Sequence, residues 1–174
     1  MTDITASTLT IRPWQQSDSI AELTALLHRA YAGLAAMGLR FMATQQSAEV
    51  TAARIAEGQC FVALVNARIC GTILFKSAAQ TKGCPWYDQD GVASFAQFGV
   101  EPELQAQGLG RQLIGFVEQQ ALASGAHELA LDTAQPAAHL VGWYGRLGYR
   151  RVGEQQWSHT NYLSVILSKK LAGP

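Results

Sequence analysis

A strand, a glycine-rich turn and a helix are predicted around the stretch Phe98–Arg111, which reads FGVEPELQAQGLGR. The β-rich run Val92–Val100 leads into it, and a helix is predicted over Gly110–Ala123. The glycines allow a ligand to approach the backbone closely. The amides of the turn and of the first helical residues form a concave set of donors at the positive end of a helix dipole. The stretch therefore predicts a site for phosphate.

Two common phosphate motifs are excluded by the residues themselves. The dinucleotide pattern GxGxxG starting at Gly108 requires glycine at position 113, which is Leu113. A Walker loop ending at Gly115 requires lysine at position 116, which is Phe116. What remains is Gln-x-x-Gly-x-Gly over Gln105–Gly110, a short pattern that gains meaning from the strand before it and the helix after it.

The other elements follow outward from this turn. Apolar periodicity, capping residues and turn residues predict the order β α α β β β α β α β β. The remaining predicted elements are a strand Thr8–Arg12, helices Ser19–Gly33 and Ser47–Glu57, a hairpin of Phe61–Val65 with Ile69–Phe75, a strand Leu129–Asp132, a helix Ala137–Leu147, a short strand from Tyr149 and a closing strand Tyr162–Leu171. This order indicates an α/β or α+β fold with a mixed sheet, in one domain over residues 1–174.

The charge balance restricts the partners. The chain has 13 Lys+Arg and 13 Asp+Glu, a formal net charge of zero, which argues against nucleic acid and membrane surfaces as partners. No apolar stretch approaches the roughly 20 residues of a membrane span, and the first residues lack the features of an export signal, so a cytoplasmic protein is expected. Cys60, Cys70 and Cys84 lack metal-ligand spacing, so we expect free thiols and no bound metal.

Several motifs in chain order resemble the GNAT superfamily of acyl-CoA-dependent N-acyltransferases. They are the Gln105–Gly110 pattern in its context, the strand Leu129–Thr133, the segment Leu140–Tyr149 with its tyrosine and glycine, and Ile11–Pro13 with Asp18. The resemblance covers essentially the whole chain. It implies a central, mostly antiparallel sheet with flanking helices, splayed at two cofactor-binding strands.

The resemblance also implies acetyl-CoA as the co-substrate. Its pantetheine arm would lie between the two splayed strands, and its pyrophosphate would meet the amides of the turn. The implied cofactor-binding residues are Phe98, Gly99, Val100, Gln105, Ala106, Gln107, Gly108, Leu109, Gly110 and Arg111. Gly99 is compatible with a bulge or with a close approach of another backbone. A bulge there would direct a free N–H to the thioester carbonyl, where it would stabilise the oxyanion of a tetrahedral intermediate.

Tyr144 matches the general acid of the family. A phenol with a pKa near 10 can protonate a leaving thiolate whose conjugate acid has a pKa near 8.5. The alternative is that Tyr144 only packs on the sheet with Leu140 and Leu147.

The sequence departs from the family pattern at two positions. Ser94 stands where many relatives carry a carboxylate, and Ala137 stands where asparagine is frequent. The general base is therefore open among Asp132, His139, His159 and a water molecule. Asp132 also has the position of a cap for the next helix.

In this fold the acceptor would lie against Tyr31–Met42 and Gly153–Asn161, where Trp157 could form an aromatic wall with Trp86 and Tyr87. The expected reaction is acetyl transfer to the primary amine of a small molecule or peptide, by direct attack. The alternatives are a non-catalytic acyl-CoA-binding or sensing module, and an acetyltransferase for protein N-termini or lysines. The resemblance also leaves a homodimer open.

Overall fold

A computed structural model describes residues 8–173 of the protein. Its centre is a seven-stranded sheet in the order β1-β2-β3-β4-β5-β7-β6. The strands are β1 (Leu9–Pro13), β2 (Gln59–Val65), β3 (Arg68–Lys76), β4 (Val92–Val100), β5 (Glu128–Ala134), β6 (Arg150–Gln155) and β7 (Ser164–Lys170). All neighbouring strands are antiparallel except β4 and β5, which are parallel.

Five α-helices cover the sheet: α1 (Ile20–Ala30), α2 (Ala32–Ala36), α3 (Ala48–Ile55), α4 (Leu109–Ala123) and α5 (Ala138–Arg146). The predicted mixed α/β fold is therefore confirmed. The predicted helix Ser19–Gly33 ends earlier, at Ala30, and the short α2 begins at Ala32 and runs into the stretch after Gly33 where the sequence predicts no element. A 3₁₀ turn at Met42–Thr44 lies in the same stretch. Ser19 and Ser47 each accept a hydrogen bond from a backbone N–H in the first turn of α1 and α3, as N-caps do.

The alternation of side chains along the strands separates the helices into two layers. On one face, Cys60 and Val62 of β2 pack with Leu23 and Leu26 of α1, and α3 packs against α1. On the other face is the main core, where α4 and α5 pack on the sheet. Its members include Phe61, Ala63, Phe95, Leu113, Val117, Leu129, Leu131 and Tyr144. The sheet is thus buried on both sides.

β4 and β5 separate soon after they start. Only Val92, Ala93 and Ser94 pair with β5, opposite Glu128, Leu129 and Ala130. Beyond that point β4 stays paired with β3 as far as Val100, and β5 stays paired with β7 as far as Ala134. The result is a gap between the carboxyl ends of two adjacent parallel strands, as the family resemblance implies.

The bulge in β4 lies at Gln97 and Phe98 rather than at Gly99. Gly99 pairs with Thr72, and the register slips before it, where Gln97 has a φ of 46°. A Cβ on Gly99 would lie 3.0 Å from the Cβ of Ala30, so this glycine allows α1 to pack close to β4. The close approach predicted at Gly99 is therefore to a helix, and the interruption in strand pairing falls just before it.

The ion pair between Arg12 and Asp18 joins the end of β1 to the start of α1. Arg12 donates to both oxygens of Asp18 at 2.8 Å, and the backbone N–H of Gln15 donates to the same carboxylate at 2.8 Å. The hydrogen bond from Arg12 lowers the pKa of Asp18 below its ordinary 3.8, outweighing the opposite effect of burial. The ionised form therefore stabilises the fold.

We expect Asp18→Asn to lower the free energy of unfolding by about 1 to 3 kcal/mol at pH 7. A depressed folded-state pKa gives stability that is present above the unfolded pKa and lost as pH falls through the folded value. The difference between variant and parent should therefore shrink as pH falls below 3.8, measured by urea unfolding at several pH values. Asp90→Asn, at an exposed position, is the control and should change little. A loss that stays constant down to low pH would contradict this role.

Candidate active site

The turn before α4 presents a row of backbone donors without acceptors. Among residues 8–173, the N–H groups from Ala106 to Arg111 have no hydrogen-bond partner, and α4 has no side-chain cap. The first backbone bond of the helix is donated by Gln112 to the carbonyl of Gly108. Free amides at a helix N-terminus are a binding site for an anion such as phosphate. The predicted phosphate site thus has the donor set that pyrophosphate needs.

Positive backbone angles shape this turn. Gly108 has a φ of 87°, which glycine adopts without strain, and Ala106 has a φ of 65°. The side-chain amide of Gln105 donates to the carbonyl of Val100 at 3.1 Å and so holds the turn against the end of β4. The family glutamine is therefore a structural tie in this chain, and the amides that follow it are the free donors.

Phe98, Gly110 and Trp143 lie together beside the gap. The rings of Phe98 and Trp143 are stacked at 6.2 Å, and a Cβ on Gly110 would lie 3.2 Å from Phe98 Cζ and 3.4 Å from Trp143 Cη2. Gly110 thus permits α4 to start against these rings. Arg111, which follows it, is exposed and forms no ion pair in the described part of the chain.

Tyr144 is buried, with 6% of its surface exposed, and packs against Phe95, Trp143 and Tyr149. Burial raises its pKa well above 10, and the nearby Tyr31 and Asp132 raise it further. The phenol therefore keeps its proton at neutral and moderately alkaline pH. Tyr144 packs as a core residue, and its ring lies against Phe95, the first residue of β4 beyond the segment that pairs with β5.

Asp132 lies on β5 just beyond the last residue that pairs with β4. Its Oδ1 accepts a hydrogen bond of 2.7 Å from the Tyr87 hydroxyl, and its Oδ2 accepts one of 3.1 Å from Trp157 Nε1. Asp132 does not cap α5, because the N-cap position is Ala137 and carries no side-chain bond. The aromatic residues of two distant loops therefore orient this carboxylate.

The other candidate bases are less well placed. His139 is exposed on α5, and His159 is exposed and stacked on Trp157 at 6.4 Å. Ser94, which stands where many relatives carry a carboxylate, is buried and shares a hydrogen bond of 2.9 Å with the Thr81 hydroxyl. Among the candidate bases Asp132, His139 and His159, only Asp132 is partly buried and held by hydrogen bonds, and it lies at the gap.

The predicted aromatic wall forms only in part. Tyr87 and Trp157 stack at 6.4 Å, whereas Trp86 lies under the guanidinium of Arg150. A second aromatic group gathers on the α1 side: Tyr31 contacts Phe41, and Phe41 contacts Tyr162 at 4.9 Å. Burial raises the pKa of Tyr31 to about 12, an effect that the charge of Arg54 reduces and that of Asp132 increases.

Arg54 and the side chains that hold it are the functional candidates that sequence reasoning missed. Arg54 Nη1 donates to Gln46 Oε1 at 2.8 Å, and Gln46 Nε2 donates to Gln97 Oε1 at 2.9 Å. Burial lowers the pKa of Arg54, and the charges of Tyr31, Glu57, Asp132 and Tyr162 act in the opposite direction. No local pattern could have found this group, because its partners come from three separate segments.

Two cavities of about 380 and 640 Å³ lie away from the gap, around Trp14 and along Arg12, Arg29 and Arg68. All three of these arginines are already paired with carboxylates. Within residues 8–173 no group of three or more His, Cys, Asp or Glu residues is arranged to hold a metal. None of the described helices combines the length and apolar character of a membrane span. The three cysteines are buried and free, as predicted.

Comparison with known proteins identifies the family. The chain matches the Acetyltransferase (GNAT) family over residues 20–149. The curated S-(2-succino)cysteine N-acetyltransferase of Bacillus subtilis (strain 168) is 28% identical over 162 residues, which cover 90% of this chain and 92% of that protein.

Solved structures share the fold. The ribosomal-protein-S18-alanine N-acetyltransferase from Escherichia coli has a TM-score of 0.71 at 17% identity and covers 96% of each chain. A GNAT family acetyltransferase from Elizabethkingia anophelis, solved with acetyl-CoA bound, has a TM-score of 0.66 at 18% identity and covers 94% of this chain and 98% of that one. Because the family match includes the amide-rich turn, Asp132 and Tyr144, the chain belongs to the GNAT acetyltransferase family and is an acyltransferase.

Proposed function

We propose that this protein transfers the acetyl group of acetyl-CoA to the primary amine of a small molecule, with Tyr144 as general acid and Asp132 as proton acceptor. The observation that carries the proposal is the gap between β4 and β5. Free backbone amides follow the end of β4, Tyr144 packs on Phe95 where β4 leaves β5, and Asp132 lies on β5 two residues beyond the last paired one. Bound acetyl-CoA would supply the activated acetyl group that the amine attacks directly.

The residues present fit this co-substrate. The amides of Ala106–Arg111 suit its pyrophosphate, and the unpaired edges of β4 and β5 beyond Ser94 and Ala130 suit an extended arm that hydrogen-bonds like an added strand. Phe98, Gly99 and Val100 line the β4 edge of the gap. The carbonyl of Val100 already accepts a hydrogen bond from the side chain of Gln105, so it is only partly available to the pantetheine arm.

Tyr144 is suited to protonate a leaving thiolate. Its raised pKa keeps the proton on the phenol until the thiolate forms. Transfer of that proton is uphill, because a thiol has the lower pKa in water, but a thiolate that forms in the same buried surroundings also becomes more basic. Tyr144 belongs to the α4–α5 side of the sheet, where the main core lies. Tyr144 would therefore donate its proton from the α4–α5 side of the gap.

Asp132 is suited to receive a proton from the acceptor ammonium. Ala130 and Ala134, two residues to either side, pack in the small clusters on the opposite face from Leu129 and Leu131. Asp132 therefore lies on the α1–α3 side of the sheet. Each of its oxygens accepts one protein hydrogen bond, which leaves lone pairs for an incoming amine.

The acceptor side favours a small molecule. Phe41 contacts both Tyr31 and Tyr162, and the charge of Asp132 raises the pKa of both tyrosines, so we assign these bulky aromatic residues to the acceptor side. The curated relative acts on S-(2-succino)cysteine, a small acceptor. The Escherichia coli neighbour acts on a protein alanine, but its likeness extends to the fold alone.

Release of free thiol from acetyl-CoA is expected with at least one member of a panel of small primary amines that includes S-(2-succino)cysteine. Peptides with free N-termini or lysines should react at least tenfold more slowly. Tight binding of CoA without thiol release for any amine or peptide would instead support the acyl-CoA-binding module. Faster reaction of the peptides would support a protein acetyltransferase.

The cofactor site is tested by a matched pair at Gly108. A side chain there meets open space, and both aspartate and asparagine tolerate its positive φ better than most residues. We expect Gly108→Asp to weaken CoA binding about tenfold or more relative to Gly108→Asn, because it places a negative charge beside the amides that receive pyrophosphate. Calorimetry at low and high salt should show that the difference shrinks with salt. Equal affinities for the two variants would place the phosphates elsewhere.

The two proton-transfer residues should give different pH profiles. We expect Asp132→Asn to lower kcat about 100-fold near pH 7, with the loss shrinking as pH approaches the pKa of the acceptor ammonium, because less deprotonation is then needed. Tyr144→Phe should also lower kcat about 100-fold. This loss should stay nearly constant from pH 7 to about 10, because the wild-type phenol stays protonated across this range.

Tyr149→Phe is the matched control for these profiles. It removes a hydroxyl that donates to Glu118 on the packed side of the same aromatic cluster. Its activity should remain within about twofold of the parent. Unchanged turnover in Tyr144→Phe, or a loss in Asp132→Asn that does not change with pH, would contradict the assigned roles.

A further inference from the structure

Arg54 is an exception among the arginines of the chain. Arg12 and Arg54 are the two that are not exposed in the described structure, and Arg12 is paired with Asp18. Arg54 has no carboxylate within ion-pairing distance among residues 8–173. Glu57, one turn further on, is paired with Lys76 instead. A guanidinium that loses water without gaining a counter-ion is prepared for an anion from outside the protein.

A network of amides holds Arg54 in place. Gln46 is buried and is fixed by four bonds: its Oε1 accepts from Arg54 at 2.8 Å, its Nε2 donates to Thr51 at 2.8 Å and to Gln97 at 2.9 Å, and its carbonyl bonds to His28 at 2.8 Å. The hydrogen-bond partner of Arg54 is therefore neutral, and no carboxylate of the described residues lies within ion-pairing distance of its charge. Such support is typical of a side chain that must present its donors in a fixed orientation.

The same network contains a second unused donor. Gln97 is 3% exposed, and its Nε2 has no hydrogen-bond partner in the described structure. Its Oε1 is occupied by Gln46, so the amide cannot turn to satisfy Nε2 without losing that bond. A buried donor without an acceptor is costly and is uncommon unless a ligand uses it. Gln97 is also the bulge residue next to Phe98, which lines the gap.

Arg54 lies on α3, which packs against α1, and Gln46 connects it to Gln97 at the β4 bulge beside the gap. Burial lowers its pKa, and the charges of Tyr31, Glu57, Asp132 and Tyr162 raise it. Arg54 is therefore on the same side of the sheet as Asp132, the proposed proton acceptor. The turn before α4, by contrast, is on the other side of the sheet, with α4 and α5. The positive charge of Arg54 is thus separate from the phosphate-binding amides.

We propose that Arg54 binds a carboxylate of the acceptor, so that the substrate class is small molecules carrying both a primary amine and a carboxylate. This rests on the proposed function. The planar guanidinium matches a carboxylate with two parallel hydrogen bonds, and it stays charged at any pH the enzyme meets. The ammonium of the same molecule is directed to Asp132, which carries the opposite charge. A zwitterion is therefore recognised at both ends, while an uncharged amine lacks one contact.

The test compares amino acids with their carboxamides as acceptors in the thiol-release assay. The panel holds the common L-amino acids, S-alkyl and S-carboxyalkyl cysteines, and the matching carboxamides, which keep the amine and lose the carboxylate. We expect the wild-type enzyme to prefer the best acid over its amide by about 10- to 100-fold in kcat/KM, a factor typical of a charged hydrogen bond.

Substitution separates the contribution of Arg54. Arg54→Gln should remove this preference, mainly by raising KM for the acid and with little effect on the amide, and Arg54→Lys should restore part of it. Arg151→Gln, which removes an exposed arginine paired with Glu154, is the control and should keep the preference. Unchanged affinity for CoA and an unchanged melting temperature show that Arg54→Gln remains folded. If it does not fold, the comparison of acid with amide in the wild type decides alone.

Two failures are distinguishable. Amides that react as well as acids, or a preference that survives in folded Arg54→Gln, would overturn this proposal and leave the proposed function standing. Absence of thiol release with every amine, acid or amide, would overturn the proposed function itself.

Discussion

The fold of the site depends on the separation of two parallel strands. β4 and β5 pair over Val92–Ser94 and then diverge, because each remains attached to its other neighbour, β4 to β3 and β5 to β7. Unpaired strand edges inside a protein leave N–H and C=O groups that need partners. The gap is thus a constraint that favours an occupant with alternating donors and acceptors. It also lets groups from the two layers of helices approach each other through the sheet.

The sequence predicts the features that are encoded locally. The turn at Gln105–Gly110 follows from glycine positions and from the helix that begins after them, whereas Tyr144 is found only through the resemblance to the family. The order of helices and strands along the chain can be predicted because each element has its own periodicity. Gly99 is compatible with a bulge, but the bulge lies at Gln97 and Phe98, because a non-glycine residue with positive φ has no sequence signature.

Features that depend on distant contacts could not be predicted. Asp132 was one of three candidate bases, and what distinguishes it is Tyr87 and Trp157, which are 45 and 25 residues away along the chain. No sequence pattern indicates a role for Arg54, because its environment is assembled from α3, the segment at Gln46 and the β4 bulge. A count of charged residues does not distinguish one arginine from another. In the described part of the structure, Arg12 is paired with Asp18 and the other arginines are exposed to solvent, whereas Arg54 is neither paired nor exposed.

The proposed acid and base lie on opposite layers of the sheet. Tyr144 packs in the core on the α4–α5 side, whereas Asp132 lies on the α1–α3 side, where Tyr87 and Trp157 hold it. Burial has the largest effect in raising the pKa of Tyr144, and the charges of Tyr31 and Asp132 act in the same direction. In the proposed mechanism, a proton taken up by Asp132 would weaken its part of this effect, and Tyr144 would become a better proton donor as the thiolate leaves. The divergence of β4 from β5 is the feature that would let the two proton transfers act on one substrate from opposite sides of the sheet.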